Sequence, residues 1–360
     1  MKIFIAISFH GFGHLAQAAP LINALFSRHP DWQWVIQCSA GREQLARWVE
    51  PDFIHVQQAT DLGIPMVNAV RADADATWHQ YQRAYQTRDQ DVAAVRQQLE
   101  LHRPDLVLSN TSYWVSRAAA ELNLPCFHFC SLNWADTFYA YCHARPDAAA
   151  IYQALCNDYN QGDVFFRLPP YMAMPGLQPL EDVGPVCRVG RKHDLHAHFG
   201  HAPTMRHVLV TMGGMPYPMP YERWPRRDDL FYLNAGPPAP VRPDIRNVAD
   251  SGISHLDLVT SCDLVLTKPG YGTFLEAACA GTPILYLPRN DWPEEPPLLE
   301  WQRQHGVCRA ISEAQFLQGD FVDDLDQVLR DARASSQRPL VSPSGIDTII
   351  ARIEQRLGLA

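Results

Sequence analysis

The sequence predicts a two-domain α/β protein in which each domain is a parallel, doubly wound sheet covered by helices. Three observations carry that prediction. Apolar strand-like runs alternate with segments of helical period through the N-terminal half. The alternation stops at one stretch dense in proline and glycine, then restarts. The chain has 360 residues, 47% hydrophobic and 19% charged, and chains beyond about 250–300 residues normally divide into domains. The same composition excludes collagen, coiled coil and disorder.

Lys2–Ser8 is a continuous apolar run, as in a strand buried on both faces. Leu15, Ala18, Ile22 and Leu25 follow at helical spacing, with Pro20 among them, so the helix is kinked there or begins after Leu15. Gln33–Cys38 and Phe53–Val56 read as strands around a helix from Arg42 to Val49. Val92, Val95 and Leu99 share one face of a helix at Asp91–Leu101. Then come a strand at Asp105–Ser109, a helix at Trp114–Leu122 and a strand at Cys126–Cys130.

Five prolines and two glycines lie between Pro169 and Pro185, which marks a boundary. Beyond it, strands are predicted at Arg206–Met212, Phe231–Leu233, Ser261–Thr267 and Pro283–Leu287. Thr273–Ala280 reads as a helix, and Ile346–Leu357 as a terminal amphipathic one. The expected division is 1–182, a linker at 183–205, a second domain at 206–340, and a helix in 341–360 that packs back on the first domain.

Thirty basic against 39 acidic residues give a net charge of −9. No basic stripe interrupts that balance, which argues against nucleic acid as a partner. Nine cysteines without a CxxC pair read as reduced, buried thiols of a cytoplasmic protein. The apolar start is short for a signal peptide, and no stretch approaches a membrane span. Peripheral membrane contact stays open.

The most informative segment is Asp263-Leu-Val-Leu-Thr-Lys268-Pro-Gly270-Tyr-Gly272-Thr273-Phe-Leu-Glu276. A buried strand ends at Lys268, glycines permit close backbone approach, and a helix begins near Thr273. Its free N–H groups and dipole, with the Lys268 charge, form an anion site. Thr273 and Glu276 also spell a T-x-x-E capping box, and the two readings are compatible. Glu276 suits sugar hydroxyls better than phosphate, so a nucleotide diphosphate fits better than phosphate alone. Val208–Met212 opens into Gly213-Gly214, which can supply further N–H donors. After the first strand, His10-Gly-Phe-Gly13-His14 lacks the third glycine and the downstream acid of a dinucleotide fingerprint. A histidine there is often an idle loop residue, but near a diphosphate it is a good general base for a hydroxyl.

With these residues the chain resembles the GT-B-fold glycosyltransferases, in particular UDP-glycosyltransferases and the peptidoglycan GlcNAc transferase, over almost its whole length. The resemblance implies two Rossmann-like domains facing across a cleft. It also implies inverting, metal-independent transfer of a sugar from a nucleotide diphosphate donor, UDP-linked, with no separate cofactor. Gly13-His14 matches the family's glycine–histidine, whose histidine is the base. Asn110 stands where the family has the aspartate that orients it. An amide holds the tautomer without stabilising the imidazolium by charge, which leaves His10 or an acidic acceptor as alternatives. Gly270 and Thr273 carry over as phosphate contacts and Glu276 as the ribose contact, while Lys268 replaces a histidine that touches the diphosphate. The glycosyltransferase-like N-terminal region of plant L-arabinokinases is similar over Lys268–Glu276 and Asp291-Trp-Pro-Glu294-Glu295-Pro296. Glu294 and Glu295 stand near where the family reads donor-sugar hydroxyls. Trp134, Phe138, Tyr139 and Tyr141 are core, or line the acceptor site as the family implies.

Other patterns carry less. Asp73-Ala-Asp75 spells D-x-D but precedes a polar helical stretch, so it reads as a helix start. His193, His196, His198 and His201 read as a solvated linker rather than a zinc site. Cys126, His128 and Cys130 alternate as packing residues of a strand. Two rival functions remain: a sugar-nucleotide epimerase on the same fold, and a silent sugar-nucleotide sensor.

Overall fold

The computed structural model describes residues 1–214, 217–239, 241–335 and 337–359. The chain divides into two compact units. Unit 1 comprises Met1–Pro65, Ala72–Val186 and Ser344–Ala360, and unit 2 comprises Met66–Arg71 and Cys187–Pro343.

Unit 1 is built on a seven-stranded sheet. Its spatial order is Phe53–Val56, Gln33–Gln37, Lys2–Ile7, Leu106–Asn110, Cys126–Cys130, Val164–Arg167 and Leu180–Asp182. Every pairing is parallel, with Ile3 opposite Trp34 on one side and Leu106 on the other. Unit 2 repeats the plan with six strands ordered Ile245–Asn247, Leu230–Asn234, Arg206–Thr211, Leu264–Thr267, Ile284–Tyr286 and Cys308–Ala310. These too are all parallel. Both sheets follow the doubly wound order, which reverses direction once beside the first strand.

Burial decides the helix at Gly13–Arg28. It starts at Gly13 and continues through Pro20, so the late start is not what the chain adopts. A proline inside a helix costs about 3 kcal/mol. Leu15, Ala18, Ala19, Leu21, Ile22 and Leu25 are all at 0% exposure, and burying those side chains offsets that cost. Asp73 is the N-cap of the long helix Ala74–His102, its Oδ1 accepting from Ala76 N–H at 2.9 Å. The helix thus starts well before Asp91. Helices at Trp134–Cys142 and Ala148–Tyr159, and the strands Val164–Arg167 and Leu180–Asp182, were not anticipated from sequence.

The stretch 183–205 is partly solvated but anchored by buried residues and a short helix. Val186, Cys187 and Leu195 are buried, and Asp194 caps a helix at Leu195–Phe199. Its histidines bond inside unit 2: His198 Nε2 lies 2.8 Å from Ser251 O, and His201 Nδ1 lies 3.0 Å from His207 Nε2. Among the described residues no trio of His, Cys, Asp or Glu is arranged to hold a metal ion. Where the chain passes Gly184 and returns at Gly345, a Cβ on Gly345 would lie 2.0 Å from Gly184 O, so only glycine fits. The helix Gly345–Arg356 then packs in unit 1, burying Ile349, Ile350 and Ile353. Among the described residues no helix is long and apolar enough to cross a membrane.

Candidate functional site

In unit 1 the sheet reverses between Lys2–Ile7 and Leu106–Asn110. Open α/β sheets bind ligands outside such strand ends. His10, His14 and Asn110 all come from these two ends. His14 sits in the first turn of its helix with Nδ1 2.7 Å from Asn110 Oδ1. Neighbours fix the tautomer. The Asn110 amide faces Phe129 O at 2.7 Å, and a carbonyl can only accept, so that atom is the nitrogen. The same nitrogen donates to Gln17 Oε1 at 3.0 Å, and Gln17 in turn donates to Ser131 Oγ at 2.7 Å. Asn110 Oδ1 therefore accepts from His14 Nδ1–H, and the imidazole keeps its lone pair at Nε2. Burial pushes His14 down to about 4, against the Asn110 bond.

Trp134 stands beside both histidines, its rings 5.4 Å from His14 and 5.6 Å from His10 between centroids. Its indole N–H donates to Ser8 Oγ at 3.2 Å, and Thr111 N–H donates to the same oxygen at 3.2 Å. The Ser8 hydroxyl donates in turn to Asp61 Oδ2. Thr60 Oγ1 reaches that oxygen at 2.9 Å. Asp61 is half-buried. Desolvation pushes its carboxyl up to about 6, opposed by hydrogen bonds from Ser8, Thr60, Trp134 and Gly63.

Unit 2 reverses between Arg206–Thr211 and Leu264–Thr267, and here the glycine turn meets the lysine. Gly213 has φ +71, and a Cβ on it would lie 3.8 Å from Lys268 Cε. A Cβ on Gly270 would lie 3.9 Å from Lys268 Nζ. The ammonium thus lies between two glycine backbones, and no described residue gives it a hydrogen bond or ion pair. Burial pulls Lys268 down to about 7; the nearby Arg289 charge adds to this, while Glu294 and Glu295 oppose it.

The helix beside it spans Tyr271–Ala280, with Gly270 as N-cap and no side-chain cap. The expected Thr273–Glu276 capping box does not form, because the helix starts two residues earlier and puts Thr273 in its first turn. The N-terminal N–H groups are left without a capping side chain, which suits an anion. Glu276 lies deeper in the helix, buried, its Oε1 3.4 Å from the Arg188 guanidinium. Desolvation pushes it up to about 7 despite that cation. Burial and the Arg188 pairing, rather than solvent, set the surroundings of this carboxyl. One residue before Arg188, Cys187 Sγ lies 3.2 Å from Cys279 Sγ of the same helix.

Glu294 and Glu295 are each 6% exposed. Glu295 Oε2 accepts from Arg289 N–H at 2.8 Å, and Glu294 Oε2 accepts from the Trp292 indole at 3.2 Å. The Arg289 guanidinium lies 3.8 Å from the Trp292 ring centroid. Both acids therefore hold this loop together.

These two sheet-edge sites can be set beside known proteins. No family model matches the chain. Among curated proteins it is 23% identical over 304 residues to L-arabinokinase of Arabidopsis thaliana, covering 80% of this chain. It spans 28% of that protein's length. Among solved structures, the spinosyn forosaminyltransferase SpnP superposes with a TM-score of 0.66 at 16% identity, over 99% of both chains. The chain has the GT-B glycosyltransferase fold. A Listeria monocytogenes protein described as a UDP-N-acetylglucosamine 2-epimerase shares it, with a TM-score of 0.61 at 17% identity over 99% of this chain and 96% of that one.

Within this GT-B chain the structure gathers His10, His14, Asn110 and Trp134 in unit 1, and Gly213, Lys268, Gly270, Gly272 and Thr273 in unit 2. Gly214 follows in the same exposed turn as Gly213. Phe138 belongs to the core, at 0% exposure with its ring 4.7 Å from Tyr81 between centroids. Tyr139 is 37% exposed and packs on Tyr152. Asp61, Arg188 and Arg289 were missed from sequence. Asp61 could have been sought as the first acid after a predicted strand, but no motif surrounds it.

Proposed function

We propose that this protein transfers a sugar from a UDP-linked donor to a hydroxyl-bearing acceptor. The observation that carries the reading is Lys268, a desolvated amine that no described residue pairs, between Gly213 and Gly270 at a helix N-terminus without a side-chain cap. Such a group gains most when a diphosphate supplies the missing counter-charge, and it stabilises that charge further as the sugar bond breaks. Gly270, Gly272 and Thr273 lend N–H groups. Uridine as the base follows from the glycosyltransferase resemblance. In unit 1, His14 offers a neutral Nε2 to the acceptor, and the fully buried Trp134 packs beside it. Inversion follows if the acceptor attacks opposite the diphosphate.

A second reading has a specific observation behind it. Asn110 gives His14 no charge, which fits a protein that binds the donor without turnover.

A thermal-shift panel with UDP, GDP, dTDP and their sugar conjugates tests the donor site. Ligand at about 100 times Kd stabilises by ~2.7 kcal/mol, which is several degrees for domains of this size. A rise with UDP that Lys268→Ala and Thr273→Ala abolish supports the reading, and no rise with any nucleotide refutes it. UDP release from the sugar conjugates then separates transferase from sensor.

A further inference from the structure

The acceptor end of unit 1 has a histidine whose expected carboxylate partner is an amide. A different carboxylate stands close by. Asp61 and the two histidines surround one indole: Trp134 is 5.4 Å from His14 and 5.6 Å from His10 between centroids, and its N–H bonds Ser8, which bonds Asp61. His10 also lies against the loop that holds Asp61, its Nδ1 3.0 Å from where a Gly63 Cβ would be.

We propose that Asp61 is the catalytic base of this site, taking the proton of the acceptor hydroxyl. The proposal rests on the glycosyltransferase reading above. The acceptor oxygen forms its bond to the anomeric carbon as the bond from that carbon to the diphosphate breaks. The electron pair of the broken bond leaves with the diphosphate, and the hydroxyl proton passes to the Asp61 carboxylate.

Three features fit that role better than a purely structural one. Ser8 and Thr60 converge on one oxygen, Oδ2, and the Trp134 indole and Gly63 N–H also bond the carboxyl, so its position is fixed. The residue as a whole keeps partial exposure, while its carboxyl is desolvated. Its pKa of about 6 lies nearer working pH than the value of about 4 at His14, and bases work best when matched to the medium. The groups facing Asp61 from the surrounding elements are Cys38, Tyr81, Tyr113 and Tyr159, all pushed up by burial and uncharged near neutrality. His10 and His14 complete the set. His14 then remains neutral and accepts a hydrogen bond from a second donor group of the acceptor, not from the attacking hydroxyl.

The test measures UDP release from UDP-glucose and UDP-galactose, with water as acceptor, across pH 5 to 9. The UDP-induced thermal shift is followed alongside as the readout of unit 2. Asp61→Asn is expected to lower kcat by about 10²-fold or more, the usual weight of general-base catalysis. KM and the UDP shift stay unchanged, and the acid limb of the profile disappears. Ser8→Ala removes a hydrogen bond to the charged form, so the limb moves to higher pH. Asp61→Glu recovers part of the rate. A D61N enzyme that keeps its kcat, or loses only KM, overturns the proposal, as does an S8A profile with an unmoved limb. A wild type that binds UDP but loses turnover only in His14 variants removes Asp61 and leaves the transferase reading standing. A wild type with neither UDP shift nor UDP release removes both.

Discussion

Lys268 makes a quantitative prediction about pH. Its amine is pulled down from 10.5 to about 7 by desolvation and the Arg289 charge. A bound diphosphate supplies the counter-charge and returns the amine toward its ordinary value, so only the protonated form binds tightly. Affinity is full below pH 7 and falls as pH rises through it. Between pH 7 and 8.5 the protonated fraction drops from one half to about 3%, which weakens UDP binding about 16-fold, or ~1.6 kcal/mol. Calorimetry in two buffers of different ionisation enthalpy should show uptake of about half a proton at pH 7 and nearly one at pH 8.5. Lys268→Met should abolish this dependence along with most of the binding. The same substitution has the opposite effect on the free protein. The unfolded chain binds more protons between pH 7 and 10.5, so stability rises with pH across that window and the buried amine destabilises the fold at pH 7. Lys268→Met should therefore raise the ligand-free stability by roughly 2 to 4 kcal/mol at pH 7. Unchanged affinity from pH 7 to 8.5 without proton uptake, or tight UDP binding by the Met variant, would refute this reasoning.

Other expectations concern single residues. Asn110→Asp places a negative charge 2.7 Å from His14 Nδ1, which should raise the imidazole pKa by about 1–3 units; imidazole NMR titration measures it directly. Gly213→Ala forces a Cβ onto φ +71, costing about 1 kcal/mol in thermal unfolding and shrinking the UDP-induced rise. Glu276 is pushed up to about 7 from 4.5, so the unfolded chain binds fewer protons over that range and stability falls as pH rises through it. Glu276→Gln should remove about 2 to 3 kcal/mol of that fall, read as denaturant midpoints at pH 5 and 8.

How much of this was legible in the sequence depends on how local each signal was. Strand after strand was readable because parallel strands buried on both faces are continuous apolar runs, as at Lys2–Ile7 and Leu264–Thr267. The lysine–glycine loop was readable because one strand end, one loop and one helix start lie in adjacent residues. Local spelling misled where two rules competed. T-x-x-E pointed to Thr273 as the cap, but Gly270 took that place. Pro20 suggested a kink or a late start, and the buried face of the helix overrode the late start. What stayed hidden was non-local. Glu276 meets Arg188 across 88 positions, and Asp61 gains its meaning from Ser8 and Trp134, 53 and 73 residues away. No window of sequence contains those pairs.

The chain's route through its two units also sets an order of events during synthesis. Unit 1 begins first, yet it is completed only by Gly345–Arg356, made after all of unit 2. Until that helix emerges, Arg28 and His29 lack the Glu354 carboxylate that pairs with them at 2.7 and 2.8 Å, and the partners of Ile349, Ile350 and Ile353 stay uncovered. Unit 2 in turn takes Ala69 into its core from a segment made long before the rest of it. A nascent chain therefore carries an unfinished apolar surface on its oldest part while its newest part folds. Shortening the carboxyl end would wound the half that left the ribosome first.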